Sequence, residues 1–255
     1  MDAFMADLGP ITFFVALSIA VLAGVVKGVV GFAMPMVLIS GLSTIMQPDV
    51  ALAALILPTL VTNGMQALRQ GMGAAWRSAR RFRVYIFVGG AALVLSAQLV
   101  AVIPLSLLLG IIGVPVVLFA LVQVLGWQLR LRTQTVGTEA GIGALAGFLG
   151  GMSGVWGPPT VMYLTALNTP KAEQVRVQGV IYGLGAVLLL GAHIASGVFR
   201  ADTWPLSAMM VVPAIFGMWI GGRLLDRIDQ PLFRKATLLV LLLAGLNLCR
   251  RAFLA

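Results

Sequence analysis

The stretch Gly150–Thr160, GGMSGVWGPPT, decides how this chain must fold, because it carries four glycines and two prolines inside a long uncharged run. That run extends from Ala140 to Pro170, and a single helix of this length would cover about 46 Å. The hydrocarbon core of a bilayer is only about 30 Å thick, so one straight helix does not fit. We therefore predict a helix break at membrane depth. The backbone N–H and C=O groups that such a break leaves unpaired are tolerated only against protein or beside a water-lined cavity.

The composition places the chain in a bilayer. Of its 255 residues 60% are hydrophobic and the mean hydropathy is +1.04, whereas soluble domains are about 45–50% apolar. Long uncharged segments favour a helical bundle over an outer-membrane barrel. The net charge of +9 is explained by the excess of lysine and arginine that cytoplasmic loops of membrane proteins carry, and it does not indicate nucleic-acid binding. With one cysteine and one histidine, we expect no internal disulfide, no metal site and no cofactor.

The glycine and proline pattern occurs twice. GVVKGVVGFAMPMVL (Gly24–Leu38) aligns without a gap on GFLGGMSGVWGPPTV (Gly147–Val161), at a constant offset close to half the chain length. The residues that coincide are Gly24 with Gly147, Gly28 with Gly151, Gly31 with Gly154, and Pro35 with Pro158. Because all four helix breakers match, we predict an internal repeat.

The predicted fold is an all-α integral membrane protein with two inverted-topology repeats, each a Gly/Pro-broken helical hairpin followed by three transmembrane helices. The first repeat, 1–130, holds a hairpin at 11–46 and spans at 50–67, 84–101 and 105–127. The second repeat, 131–255, holds a hairpin at 139–167 and spans at 177–195, 206–222 and 236–254. Whether the hairpin arms are re-entrant or cross fully stays open.

Basic residues support the inversion. Three spans after each hairpin turn the second repeat upside down, which puts thirteen of the seventeen lysines and arginines on one face. They are Arg69, Arg77, Arg80, Arg81, Arg83, Arg130, Arg132, Lys171, Arg176, Arg223, Arg227, Arg234 and Lys235. Only Arg200, Arg250 and Arg251 fall on the other face. The positive-inside rule assigns the richer face to the cytoplasm of a multi-pass protein in the cell inner (plasma) membrane.

This topology predicts a labelling pattern. Single cysteines placed in 69–83 and in 223–235, in a chain without Cys249, should be shielded from an impermeant thiol reagent added outside intact cells. A cysteine at the C-terminus should react. Labelling of 223–235 from outside would contradict the inverted arrangement.

Broken helices at matching positions of inverted repeats are typical of secondary transporters, with the binding site where the breaks meet. Lys27 lies at the first break and is the only charge between Asp7 and Asp49. Pro35 and Pro158 lie where proline is favoured, in the first turn of a new helix. Helix N-termini bind anions, so the two breaks and one lysine predict a pocket for a small anion. The alternative is a lysine that extends to the membrane interface.

The candidate substrate-binding residues lie around the two breaks and on the third apolar segment. They are Lys27, Gly28, Gly31, Pro35, Asn63, Gly151, Ser153, Gly154, Trp156, Gly157 and Thr160. Asn63 is included because it lies near mid-span and shares a helix face with Gln66. His193 is the candidate for proton coupling, since no carboxylate lies deep in an apolar segment.

An enzyme is the alternative from another class. GMSG (Gly151–Gly154) fits the GxSG pattern of rhomboid intramembrane serine proteases, and His193 could serve Ser153 as base. Rhomboids use a second histidine, and the chain has only one. The repeat also explains these glycines without catalysis, so we expect the protein not to be an enzyme.

The paired glycine-rich motifs resemble the duplicated motifs of the TauE/SafE sulfite exporter family. So do PTLVTNGMQALRQG (58–71) and GGRLLDRIDQPLFRKATLLVLLLAGLNL (221–248). The resemblance implies a permease for sulfite, sulfonates, sulfoacetate or related organic acids, including carboxylates. Phe32 and Trp156 stand where many members continue with a third glycine. Direction of transport, driving ion and homo-oligomerisation stay open.

Overall fold

The computed structural model describes residues 9–97, 105–127, 130–131, 133–153, 157–195 and 199–254. Within these residues the chain is all helical, with no strand, as predicted. The helices are, in chain order, α1 (Pro10–Val30), α2 (Met34–Leu42), α3 (Pro48–Leu68), α4 (Met72–Arg81), α5 (Arg83–Ala97), α6 (Leu105–Val124), α7 (Val136–Ser153), α8 (Gly157–Ala166), α9 (Lys171–Ala195), α10 (Trp204–Arg227) and α11 (Gln230–Leu254).

Among the described residues, five helical segments are long and apolar enough to cross a membrane. They are Pro10–Val30, Val50–Leu68, Lys171–Gly191, Trp204–Arg227 and Gln230–Phe253. Two more, Arg83–Ser96 and Gly113–Val124, are apolar but shorter. Large apolar side chains point outward on these helices: Phe14 is 68% exposed, Phe87 76% and Val212 73%. Surfaces of this kind are stable against lipid, which confirms the prediction of a membrane protein.

The segment 69–83 lies between two predicted spans, and it contains the helix α4. Ala74, Ala75 and Ser78 are buried on one side of this helix. Its arginines Arg77 and Arg80 are exposed on the other side. The helix is short and strongly amphipathic, so a hydropathy profile averages its two faces and does not detect it.

The described chain forms two compact units. The first comprises residues 1–71 and 179–228, and the second comprises 72–178 and 229–255. Each unit therefore takes helices from both predicted repeats. In the first unit, α1 of the first hairpin packs along α10. In the second unit, α7 of the second hairpin packs along α5. The repeat boundaries at 130 and 131 and the inversion stay predictions.

Small residues make the core of the first unit. The buried cluster lies where α1, α2, α3 and α10 meet, and six of its eleven members are alanines that let the helices approach closely. It consists of Ala16, Ala20, Ala23, Met34, Leu38, Leu42, Ala51, Ala54, Leu206, Met210 and Ala214.

Glycines make the crossing of α1 and α10 possible. A Cβ added to Gly24 would lie 2.3 Å from the carbonyl oxygen of Ala214, and one added to Gly28 would lie 2.4 Å from that of Met218. From the other side, a Cβ on Gly217 would lie 2.0 Å from the backbone of α1. Any side chain at these positions would push the two backbones apart.

The crossing of α7 and α5 in the second unit is built in the same way. A Cβ on Gly147 would lie 1.9 Å from the oxygen of Gly89, and one on Gly151 would lie 2.2 Å from the oxygen of Leu93. Gly147 and Gly151 are the residues that align with Gly24 and Gly28. Helix packing thus accounts for these matched glycines without a ligand, and the substrate role assigned to Gly28 and Gly151 stays a prediction.

Candidate functional site

The first break has a defined geometry. Helix α1 ends at Val30, and Gly31 adopts the left-handed conformation (φ 86°) while its N–H donates to Lys27 O at 2.7 Å. Ala33 is also left-handed (φ 71°), which is strained for a residue with a Cβ. Helix α2 then begins, with Pro35 in its first turn. The break therefore lies where the glycine and proline pattern predicted it.

The second break is described only on its two sides. Helix α7 ends at Ser153 and α8 begins at Gly157. The predicted site residues Gly154 and Trp156 lie outside the described residues, as does the side chain of Ser153. On the far side, Pro158 and Thr160 are buried in the first turns of α8.

Lys27 is buried in the first unit and is only 2% exposed. Its Nζ donates a hydrogen bond to Oδ1 of Asn63 on α3. The amide nitrogen of Asn63 donates in turn to the carbonyl oxygen of Tyr182 on α9, at 3.1 Å. The lysine therefore does not extend to an aqueous interface. The structure brings together Lys27 and Asn63, two residues that the sequence proposed for the site.

One face of α3 holds the break in place. Nε2 of Gln66 donates to the carbonyl oxygen of Gly31 at 2.9 Å. One turn earlier, the Thr62 hydroxyl lies 3.4 Å from the sulfur of Met34, the first residue of α2. Together with Asn63, these side chains contact α1, the break and α2. We call Lys27, Asn63, Gln66 and the Gly31 carbonyl the break cluster.

The charge of Lys27 has no counter-ion among the described residues. Their ion pairs are Arg69–Asp226, Arg81–Glu173 and Arg200–Asp202, all of them at least partly exposed. Among the described residues, the ammonium, which has three N–H donors, donates a hydrogen bond to Oδ1 of Asn63. Lys27 lies in the last turn of α1, where the helix dipole offers roughly half a negative charge. An ammonium buried among apolar side chains is costly unless further negative charge compensates it.

The first turn of α2, which follows the break, offers further donors. Its N-cap residue, Ala33, makes no side-chain hydrogen bond to the turn. Residues such as serine or aspartate usually accept from these N–H groups, and alanine is among the least favoured at this position. Free N–H groups and a buried ammonium in one segment are the donor set that an oxyanion requires.

The second unit places a hydroxyl pair beside its own break. The Oγ1 of Thr160 and the phenol oxygen of Tyr85 lie 2.7 Å apart, and Thr160 is 1% exposed. The Tyr85 ring stacks on Tyr163 with centroids 6.0 Å apart. Oε1 of Glu139 accepts from the Tyr85 N–H at 3.0 Å, near the start of α5. A carboxylate is stabilised at such a helix N-terminus, so this buried glutamate (4% exposed) has a structural role.

Several contacts of these sites were not foreseen from the sequence. Tyr182 enters through its backbone carbonyl, which every residue possesses, and no sequence signal could have shown it. Tyr85 could have been suspected, since it is one of only three tyrosines. Gln66 was noted for sharing a face with Asn63, although only Asn63 was assigned to the site.

The predicted serine–histidine pair lies outside what the structure tests. His193 is within α9, but its side chain and that of Ser153 are outside the described residues. The prediction that the two breaks hold one ligand is likewise not tested by either unit taken by itself. Among the described residues, no group of three histidine, cysteine, aspartate or glutamate side chains could hold a metal ion.

One comparison with known proteins gives a result for nearly the whole chain. The family model described as "Sulfite exporter TauE/SafE" matches residues 16–248. Neither a curated protein nor a solved structure matches the chain significantly. The matched range includes both breaks and all the residues of the break cluster.

Proposed function

Because the chain belongs to the TauE/SafE sulfite exporter family, we propose that it carries a small anion across the cell inner membrane without changing it chemically. The substrate class is sulfite, a sulfonate or a sulfoacetate-like anion, with a carboxylate as the alternative. Transport proceeds by alternating access to a site at membrane depth. The family is one of membrane transporters, and the paired helix breaks are typical of such proteins.

The observation that carries this proposal is the buried ammonium of Lys27. It lies at a helix break within an apolar bundle and meets no carboxylate among the described residues. An anion that enters the bilayer core loses its hydration shell, which costs many kcal/mol unless fixed donors replace the water. Lys27 and the uncapped first turn of α2 supply such donors.

Asn63 has two tasks in this proposal. It holds the Lys27 ammonium through Oδ1, and its own Nδ2 is fixed by the Tyr182 carbonyl. The asparagine is neutral, so it positions the lysine without cancelling its charge. Gln66 fixes the break itself through the Gly31 carbonyl. The donors are therefore held in place before the anion arrives, which lowers the entropy cost of binding.

A flux measurement tests the proposal. The protein in proteoliposomes should show saturable uptake of sulfite or a sulfonate, with carboxylates tested in parallel and with and without a pH gradient. Protein-free liposomes are the control. A preference for carboxylates would show that the substrate is a carboxylate and not a sulfur-containing anion. The absence of saturable flux of every anion tested would contradict the transporter proposal.

A further inference from the structure

The second unit contains a cleft that the break cluster does not use. It has a volume of about 350 Å³ and lies between α6, α7 and α8. Its walls are apolar, and Pro159, two residues into α8, contributes to them. Arg130 and Leu131 also line it. Leu145, on α7, is a further lining residue.

The backbone beside Arg130 is fixed in position. The Leu131 N–H donates to the Ala166 carbonyl at 2.8 Å, which ties the backbone next to Arg130 to the end of α8. Arg234, on α11, is a second arginine of the same unit. Arg234 is itself held by the side-chain oxygens of Gln123 and Asn168. None of the ion pairs formed by described residues includes Arg130.

The size of the cleft limits what can occupy it. A helix is about 10 Å across with its side chains, so about 350 Å³ would hold only about 4.5 Å of its length, less than one turn. A single acyl chain is much thinner and matches an apolar slot of this size. A phosphate is the group that suits Arg130 at this cleft, because guanidinium forks bind phosphate with two parallel hydrogen bonds.

From this juxtaposition we propose that the cleft binds an anionic phospholipid, with one acyl chain between α6, α7 and α8 and the phosphate on Arg130. The site is independent of the transported anion. Bound lipid covers Pro159 at the start of α8, so it stabilises the helix that follows the second break. Basic groups at the membrane surface attract anionic lipids in general, and the adjoining apolar slot makes this position selective for a lipid over a free anion.

Native mass spectrometry of the purified full-length protein tests the site. Phosphatidylglycerol and phosphatidylcholine with identical acyl chains are added at equal concentration. We expect one phosphatidylglycerol to be retained where phosphatidylcholine is lost, because both carry the phosphate but the choline ammonium of phosphatidylcholine cancels its charge and is repelled by Arg130. Arg130→Gln should reduce its retention about tenfold, because it removes the charge and keeps the apolar slot. Arg77→Gln, the same change at an exposed arginine of α4, should leave retention unchanged.

Two further measurements separate the sources of binding. Leu145→Trp should exclude the acyl chain, and Leu145 is 51% exposed, so the larger ring does not enter the core. Glycerol phosphate and sulfite, which lack an acyl chain, should not displace the lipid. Equal retention of phosphatidylcholine, unchanged retention in Arg130→Gln, or displacement by glycerol phosphate would each overturn the proposal. Thermal unfolding of each variant verifies that it is folded. If Leu145→Trp is not folded, the lipid retention of Arg130→Gln alone tests the proposal.

Discussion

Gly147→Ala is expected to abolish folded protein, although it adds a single methyl group. The new Cβ would lie 1.9 Å from the Gly89 carbonyl oxygen and 2.7 Å from its carbon, both of them backbone atoms. Backbone cannot rotate away as a flexible side chain can, so α7 and α5 would have to separate along their whole contact. We expect a destabilisation of more than about 3 kcal/mol, beyond the usual range for overpacking.

The chain supplies a matched control on the same helix. A Cβ on Gly141, also in α7, would meet nothing within 4 Å. Gly141→Ala should leave stability unchanged or raise it by up to about 1 kcal/mol, because alanine is the better helix former. Recovery of monodisperse protein in size-exclusion chromatography, followed by thermal unfolding, measures both variants. Equal stability of the two would show that α7 and α5 do not cross as described.

The first unit gives an independent repetition of this test. Gly217→Ala places a Cβ 2.0 Å from the Val21 carbonyl oxygen, whereas a Cβ on Gly64 of α3 meets nothing within 4 Å. We therefore expect no folded protein from Gly217→Ala, whereas folded Gly64→Ala protein should be recovered. A loss of both, or of neither, would mean that the close approach of α1 and α10 does not carry the stability of this unit.

The glycines also show what the sequence could and could not predict. Their spacing predicted the first break correctly, because glycine and proline act on the local backbone wherever they stand. The second predicted break, at 154–156, lies outside the described residues. The same spacing did not show that Gly24 and Gly147 serve helix crossings. That role depends on a partner helix far away in the chain, and a glycine carries no side chain whose chemistry would indicate its partner.

In the break cluster, too, the sequence could predict some features and not others. Lys27 could be singled out from the sequence, since a lone charge in an apolar segment needs a reason wherever the helix packs. Asn63 and Gln66 could be placed on one face from their spacing alone. Their acceptors, the carbonyls of Tyr182 and Gly31, could not, because every residue has a carbonyl. Long-range contacts of this kind are fixed by packing.

Lys27→Met should weaken the apparent affinity for the transported anion by about tenfold or more. Methionine keeps the length of the side chain and removes the ammonium, so the variant tests the charge with little change in packing. A hydrogen bond to a charged group contributes about 1.5–3 kcal/mol, and each tenfold change in affinity corresponds to about 1.4 kcal/mol. The same substitution at exposed Lys235 removes one charge from the surface and should leave the affinity unchanged.

Two more variants at the break cluster distinguish a binding role from a structural one. Lys27→Ala should lose at least as much affinity as Lys27→Met. Lys27→Arg should restore only part of it, because the guanidinium fork is larger than the ammonium and the position is 2% exposed. A purely structural lysine would instead change the amount of folded protein, so the initial rate per folded molecule is compared at several substrate concentrations.

Asn63→Asp gives the sharpest result, because it supplies Lys27 with the counter-ion that the described residues lack. The new carboxylate keeps an acceptor at the position of Oδ1, where it pairs with the ammonium, and it replaces the donor to Tyr182 with a second oxygen. An anion must then compete with a fixed negative charge at contact distance from the lysine. We expect saturable transport to fall below detection while the protein remains folded, and Asn63→Ala, which adds no charge, to lose less. Measured uptake curves decide the matter: if Asn63→Asp and Lys27→Met both transport with unchanged affinity, the ammonium does not contact the substrate, and the anion must bind at donors other than those of the first break.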